Sequence, residues 1–384
     1  MKVCYFGTYD KFNWKNEILI AGLKRNGVDV VECHVSLWED TDSKIQAVKT
    51  KLGLLGLGGR VASRYLQLIF KHRKIGKYDV MILGYTGQYD VFLGKVLTLL
   101  SGKPLVLDAY QSIHDTIVFD RTLANESSIV ARLAYLLDKY SCVLADLVLL
   151  DTQTHINHFC AKFGLSPDKF HRVFVGADDR YFKPMVSQRN DSYFKVVYFG
   201  GYVPLHGTKY IMQCAAELAK EPDIRFVMIG NGQMYQETRD LAEHLGLSNV
   251  SFIETGMPGR WLPPEDLARL VANSDVCLGV FGLGQKCDWV IPSKVCVGLA
   301  MKKAVLTGDT PAVREVFSDR ENVILCERGN GEAIADAILL LKRNESLRNK
   351  IARNGYQLFR NKFSLKAIGR EMNDALVQLL TNKQ

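Results

Sequence analysis

Short apolar runs rich in β-branched residues alternate with amphipathic segments along the whole chain. In the first half the runs at 2–8, 29–35, 78–84, 104–109, 147–151 and 171–175 predict strands. The stretches between them predict helices, as at 126–144, where apolar residues recur at three- and four-residue steps. The series restarts at 195–201 and continues through 224–230, 250–254, 275–281, 304–308 and 322–326. Strands this apolar are buried on both faces, which means parallel sheets covered by helices. Strand–helix alternation, twice over, predicts an α/β protein of two doubly wound, Rossmann-like domains facing each other across a cleft. The break falls near 176–192, where neither helix nor strand period fits. From about 347 to 380 the tail reads as helix without a further strand. The expected division is 1–180, 181–360 and a C-terminal helical segment, 361–384.

At 384 residues, 47% hydrophobic and 23% charged, the chain can bury a core in each half. A net charge of +8 suits many anionic partners, and nothing beyond it points to nucleic acid. Its distribution says more. From Lys44 to Lys77 there is no Asp or Glu, while cations such as Arg60, Lys71 and Lys74 flank Leu66, Ile69 and Phe70. The segment 44–77 reads either as a basic core-packing helix or as one that lies on an anionic bilayer surface. The nine cysteines form no Cys-x-x-Cys and mostly sit in apolar runs, as expected of buried free thiols in a reducing compartment. The first residues read as a strand rather than a signal peptide, and no apolar run reaches the ~18 to 20 residues of a membrane span. A cytoplasmic protein, attached at most peripherally to the inner membrane face, is the expectation.

In such sheets ligands bind outside the carboxyl ends of the strands, so the chemistry belongs to the loops that follow them. Gly7 opens the first such loop, where a glycine allows either a tight turn or a close approach to a ligand. Gly200 and Gly201, followed by His206 and Gly207, lead into a helix; free amides and the helix dipole there suit a diphosphate. Gly232 stands in a similar Gly-Asn-Gly turn, and Thr255, Gly256 and Met257 follow the next strand. Ile291-Pro292-Ser293-Lys294 opens a helix with Lys294 in its first turn, against the dipole, a conflict that a bound anion would remove. Asp309 is placed to cap the next helix or to meet the ligand. In the first half, Ser112, His114 and Asp115 follow a buried strand; His114 offers a hydrogen bond to a sugar hydroxyl and Asp115 a base toward an acceptor.

Together these segments resemble the GT-B glycosyltransferases, and within them the large family 4 of retaining enzymes. The resemblance covers nearly the whole chain and is strongest from Tyr198 to Val316. It rests on Tyr-Phe-Gly-Gly-Tyr-Val-Pro-Leu-His-Gly from Tyr198, Phe-Val-Met-Ile-Gly-Asn-Gly from Phe226, and Ile-Pro-Ser-Lys-Val-x4-Ala-Met-Lys-Lys-Ala-Val-Leu-Thr-Gly-Asp from Ile291. The segments 145–152 and 175–184 are similar to that family's domain junctions. The resemblance implies a UDP- or GDP-sugar donor in the second domain and a glycan or lipid-linked acceptor in the first. It further implies a last helix that crosses back to the first domain, and neither a metal nor a separate cofactor. Helix amides and basic side chains, Lys286, Ser293, Lys294 and His206 among them, would then stabilise the leaving diphosphate. Thr255 and Gly256 would flank the base and Asp309 would contact the sugar.

Two departures stand out. The places of the family's diphosphate-binding Arg and Lys hold Gly201 and His206, and those of its Glu-x7-Glu pair hold Trp289 and Val297. Alternative readings follow from them: a decayed GT-B scaffold that binds without turnover, or a sugar-nucleotide epimerase, which needs no acceptor. A nicotinamide oxidoreductase lacks its Gly-x-Gly-x-x-Gly fingerprint here.

Overall fold

The structure, a computed structural model, describes residues 1–11, 13–37, 51–256 and 262–382. Met257 and the 44–50 part of the basic segment therefore lie outside the described residues. The chain divides into two compact units: Met1–Val118, Thr122–Phe174 and Leu365–Gln384 form the first, Phe119–Arg121 and Val175–Ser364 the second.

The first unit holds a six-stranded, all-parallel sheet of β1 (Lys2–Gly7), β2 (Asp29–His34), β3 (Val80–Leu83), β4 (Leu105–Asp108), β5 (Leu147–Leu150) and β6 (Phe170–Arg172). Its order is β2-β1-β3-β4-β5-β6. Alternate strand residues Cys4, Phe6, Met81, Leu83, Leu105 and Leu107 share one core with residues of the helices Lys51–Ile75, Val91–Ser101, Ile129–Leu144 and Gln153–Phe163. Those four helices thus cover the same face of the sheet. The helix Trp14–Arg25 packs instead on the last helix, Leu365–Thr381. There the backbones meet: a Cβ on Gly22 would come within 2.9 Å of the Leu365 carbonyl, and one on Gly369 would overlap the Gly22 carbonyl.

The second unit repeats the plan with β7 (Phe194–Gly200), β8 (Ile224–Gly230), β9 (Val250–Glu254), β10 (Val276–Leu278), β11 (Ala304–Gly308) and β12 (Ile324–Cys326). The order is β12-β11-β10-β7-β8-β9, again parallel throughout. The strand sequence reverses between β7 and β10, and crevices for ligands open at such reversals. All twelve expected strands form, because runs such as Val196–Phe199 and Val305–Leu306 are apolar on both sides and fit only between two helical layers. The nine cysteines are free, eight of them buried and Cys160 half-buried.

Candidate phosphate site and the buried cluster of the first unit

In the second unit, Gly200 ends β7 with φ at +152°, where a side chain is strained. The space left by its missing Cβ faces two basic groups. A Cβ there would stand 2.8 Å from Lys294 Nζ and 3.2 Å from His206 Cε1. His206 closes a short turn, Pro204–His206, and its Nδ1 is hydrogen-bonded at 2.7 Å to the hydroxyl of Tyr198, a fully buried residue of β7. Lys294 stands in the first turn of the helix Ser293–Ala300, which no side chain caps. Its Nζ lies 4.1 Å from the Tyr198 ring centroid, is buried, and has no hydrogen-bond partner among the described residues. The structure thus brings Gly200, His206, Ser293 and Lys294 to the β7/β10 reversal.

Burial drives the Lys294 ammonium well below its ordinary range. Burial also lowers His206 well below its own, helped by the charges of Lys294, Arg121 and Lys286. Four basic groups therefore converge, and Asp120 pairs with two of them. Lys286 Nζ donates to Asp120 Oδ2 at 3.2 Å, both groups being buried, and Arg121 Nε is 3.9 Å from the same oxygen. Lys286 is thus already paired, in contrast to Lys294. Asp120 and Arg121 escaped the sequence reading, because they join this unit from a π-helical turn, Thr116–Asp120, far upstream. No local pattern there marks them.

The neighbouring glycines have structural reasons. A Cβ on Gly230 would overlap the Gly200 carbonyl, and one on Gly232 the Gly201 carbonyl. Both have strongly positive φ, so the loops after β7 and β8 pack backbone on backbone. Thr255 is buried and donates its amide to the Gly230 carbonyl at 3.4 Å, while Gly256 is exposed. Asp309 is held by Arg314 through bonds of 2.6 and 2.5 Å. The cap of the following turn is Thr310, whose side chain accepts from Val313 N, so the capping role considered for Asp309 belongs to its neighbour. Val297 is buried in the core and Trp289 half-buried, so neither position supplies a carboxylate. A separate cavity of about 210 Å³ lies at the start of the helix Thr208–Glu217, against Val203, Gly207, Met234 and Leu283; Lys294 is not on its wall.

In the first unit, Gly7 (φ +134°) leaves room for a carboxylate of the chain itself. Asp90 accepts from the Thr8 amide at 2.7 Å and from the Thr8 hydroxyl at 3.1 Å. Its own pKa is pushed up to about 7 by burial. The amide that would have met an external anion is thus spent internally.

His114 and Asp115 are both buried, in a one-turn helix capped by Ser112. Asp138, from the helix Ile129–Leu144, accepts from Ser112 Oγ at 2.7 Å and from the His114 amide at 2.9 Å. Asp115 accepts from His158 Nε2 at 2.9 Å and pairs with Lys162, which also donates to His114 Nδ1 at 2.7 Å. Burial alone would raise the Asp115 carboxyl, but the bond from His158 and the charge of Lys162 outweigh it and hold it well below the carboxylate range. Both oxygens are engaged, so Asp115 acts as the anchor of a buried ionic cluster instead of a free base. His114 Nδ1 faces Lys162 Nζ at 2.7 Å and Asp115 Oδ1 at 3.3 Å, accepting from the first in one ring form and donating to the second in the other.

Residues 179–358 match the family model Glycosyl transferases group 1. The kanosaminyltransferase of Streptomyces kanamyceticus is 23% identical over 349 residues, 83% of each chain. Among solved structures, Anabaena HepE in complex with UDP-glucose superposes with a TM-score of 0.68 at 16% identity, over 98% of this chain and 100% of that one. Sucrose-phosphate synthase of Thermosynechococcus elongatus gives 0.74 at 15% identity, over 99% of both chains. The fold is GT-B, two parallel-sheet α/β domains with the last helix grouped with the first unit. The match to the group 1 glycosyltransferase model falls within the second unit.

Proposed function

We propose that the chain transfers a sugar from a nucleoside-diphosphate donor to a glycan or lipid-linked acceptor. In this reading the second unit holds the donor, with its diphosphate against Gly200, His206, Ser293 and Lys294. The observation that carries the proposal is the Lys294 ammonium: buried, without a hydrogen-bond acceptor among the described residues, and packed against Gly200, where only the absence of a Cβ lets it lie. A buried charge without a partner is costly, and an anion seated at the β7/β10 reversal relieves that cost. Arg121 adds a second positive charge to the leaving group. These donors do the work of stabilising the diphosphate, and the donor is a UDP- or GDP-sugar. Transfer with retention needs no protein nucleophile, since the departing diphosphate can accept the acceptor's proton on the same face. In the first unit, His114 is the residue assigned to the sugar, with its ring held by Asp115 and Lys162.

The test is a thermal-shift screen of the full chain against UDP, GDP, ADP and TDP at millimolar concentration, repeated with Lys294→Ala. One of them should raise the Tm by several degrees in the parent and not in the variant, since a ligand at a hundred times its Kd contributes about 2.7 kcal/mol. Silence from all four would sink the donor assignment and leave a GT-B scaffold without a nucleotide site.

A further inference from the structure

The helices Lys51–Ile75, Val91–Ser101 and Ile129–Leu144 lie side by side on one face of the first unit's sheet. Tyr65 of the first donates to the Tyr89 carbonyl at the start of the second at 2.5 Å. At their other ends His72, Tyr78 and Ser101 form a hydrogen-bonded chain at 3.0 and 3.1 Å. The second and third helices pack directly on each other. Their inner sides fill the core, but their outer sides are apolar as well. On Val91–Ser101 the exposed large apolar side chains are Phe92, Val96, Leu99 and Leu100, the last two 68% and 81% exposed. Steps of four, three and one place them on one stripe. On Ile129–Leu144 the stripe is Ile129, Leu133, Tyr140 and Val143, with Ile129 78% exposed. On Lys51–Ile75, Leu66 and Phe70 occupy it and Arg73 and Lys74 continue it.

The exposed charges on these three helices are basic. In the three helices the only acidic residue is Asp138, buried beneath Ser112 and His114. Arg60, Lys71, Arg73, Lys74 and Arg132 are exposed, Lys139 is half-buried, and Lys95 is paired with Asp146 at 3.4 Å. A soluble surface rarely leaves so many large apolar side chains to water on adjacent helices, and an apolar strip flanked by exposed cations complements an anionic bilayer. No described helix is long and apolar enough to cross a membrane, so the contact is interfacial.

We infer that this three-helix face of the first unit docks on an anionic lipid surface, with Phe92, Leu99, Leu100, Ile129 and Leu133 entering the acyl boundary and the basic residues meeting headgroups. The basic segment 44–77 is where the sequence alone suggests membrane contact. The structure moves its apolar centre to the next two helices, which lie outside that segment, and leaves the Lys51–Ile75 helix as the basic flank. This inference is independent of the donor assignment, because it uses no residue of the second unit.

Flotation of the full chain with vesicles tests it, using phosphatidylcholine alone and phosphatidylcholine mixed with phosphatidylglycerol. The parent should float with the mixed vesicles and lose binding as salt rises. Leu99→Ser with Leu100→Ser should lower partitioning at least about tenfold, the worth of one Leu withdrawn from an apolar phase. Arg73→Glu with Lys74→Glu should lower binding to the mixed vesicles only. All four positions are exposed, so folding and any nucleotide-induced Tm shift should persist in both variants. The inference is overturned if the parent stays soluble with both vesicle types, or if both variants float like the parent. It is equally overturned if the Leu pair instead turns a dimer into a monomer in light scattering, for then a second copy covers the face.

Discussion

Lys294 concentrates the conflict between stability and binding. Its ammonium is buried against the Tyr198 ring with no acceptor among the described residues, and its pKa is depressed below that of the unfolded chain. The unfolded chain then binds more protons at this site, so this group's contribution to the stability of the ligand-free protein rises with pH up to the unfolded value near 10.4. Replacing it with an apolar side chain of similar length removes the penalty. Lys294→Met should therefore raise the ligand-free stability, by about 1–2 kcal/mol, while abolishing nucleotide binding. A diphosphate favours the protonated forms of both Lys294 and His206, whose depressed pKa values mean that binding takes up protons. Affinity for the nucleoside diphosphate should fall as pH rises, by up to about tenfold per pH unit for each group. Calorimetry in buffers of different ionisation enthalpy reads this uptake directly. Zero net uptake at neutral pH would mean that neither group meets the phosphates.

The elements that build the site are loops held by glycine contacts, and this is testable apart from any ligand. At Gly230 the φ is +134° and a Cβ would overlap the Gly200 carbonyl; at Gly246 the φ is +63° and nothing lies within 4 Å. Gly246→Ala should cost about 1 kcal/mol for the left-handed backbone alone. Gly230→Ala should cost about 2–3 kcal/mol and weaken nucleotide binding too, because relief requires Gly200 to move away from Lys294. Urea unfolding of the two variants gives both figures, and equal costs would refute the backbone-packing account. The same elements show what was legible beforehand. Strands were, since runs such as Val305–Leu306 are apolar on both sides, and so were post-strand loops carrying Gly200, His206 and Lys294. Partners contributed from distant segments were not. Asp90 fills the place expected for a ligand at Gly7; Lys162 and His158 bind Asp115 from a later helix; Arg121 reaches His206 from another part of the chain. Each of these pairings is tertiary, between residues more than forty positions apart, and no periodicity or motif in either segment announces it.

At the scale of the whole molecule, the chain leaves its first unit at Phe174 and returns to it at Leu365. The tail was expected as helix, and it forms Glu345–Leu358 and Leu365–Thr381 joined through a π turn at Phe359–Phe363. The returning helix buries Leu365, Ile368, Met372 and Leu376, and the helix Trp14–Arg25 against which it packs buries Ile18, Leu19 and Leu23. The seam is closed by Gly22 and Gly369, and Asn26 ties it by donating to the Gly22 and Lys366 carbonyls at 2.8 and 3.1 Å. Completion of the first unit therefore waits for the last twenty residues, whereas the second unit is complete at Ser364. Gly369→Leu places a side chain where the Gly22 carbonyl already sits, and the helix cannot dock without shifting. The expected result is a selective loss. In differential scanning calorimetry the first unit should unfold several degrees earlier, since about 2–3 kcal/mol is lost over a unit of this size. The second unit should keep its transition and its shift with nucleotide. A single transition lowered as a whole would show instead that the two units unfold as one cooperative body, with the returning helix as the link that makes them so.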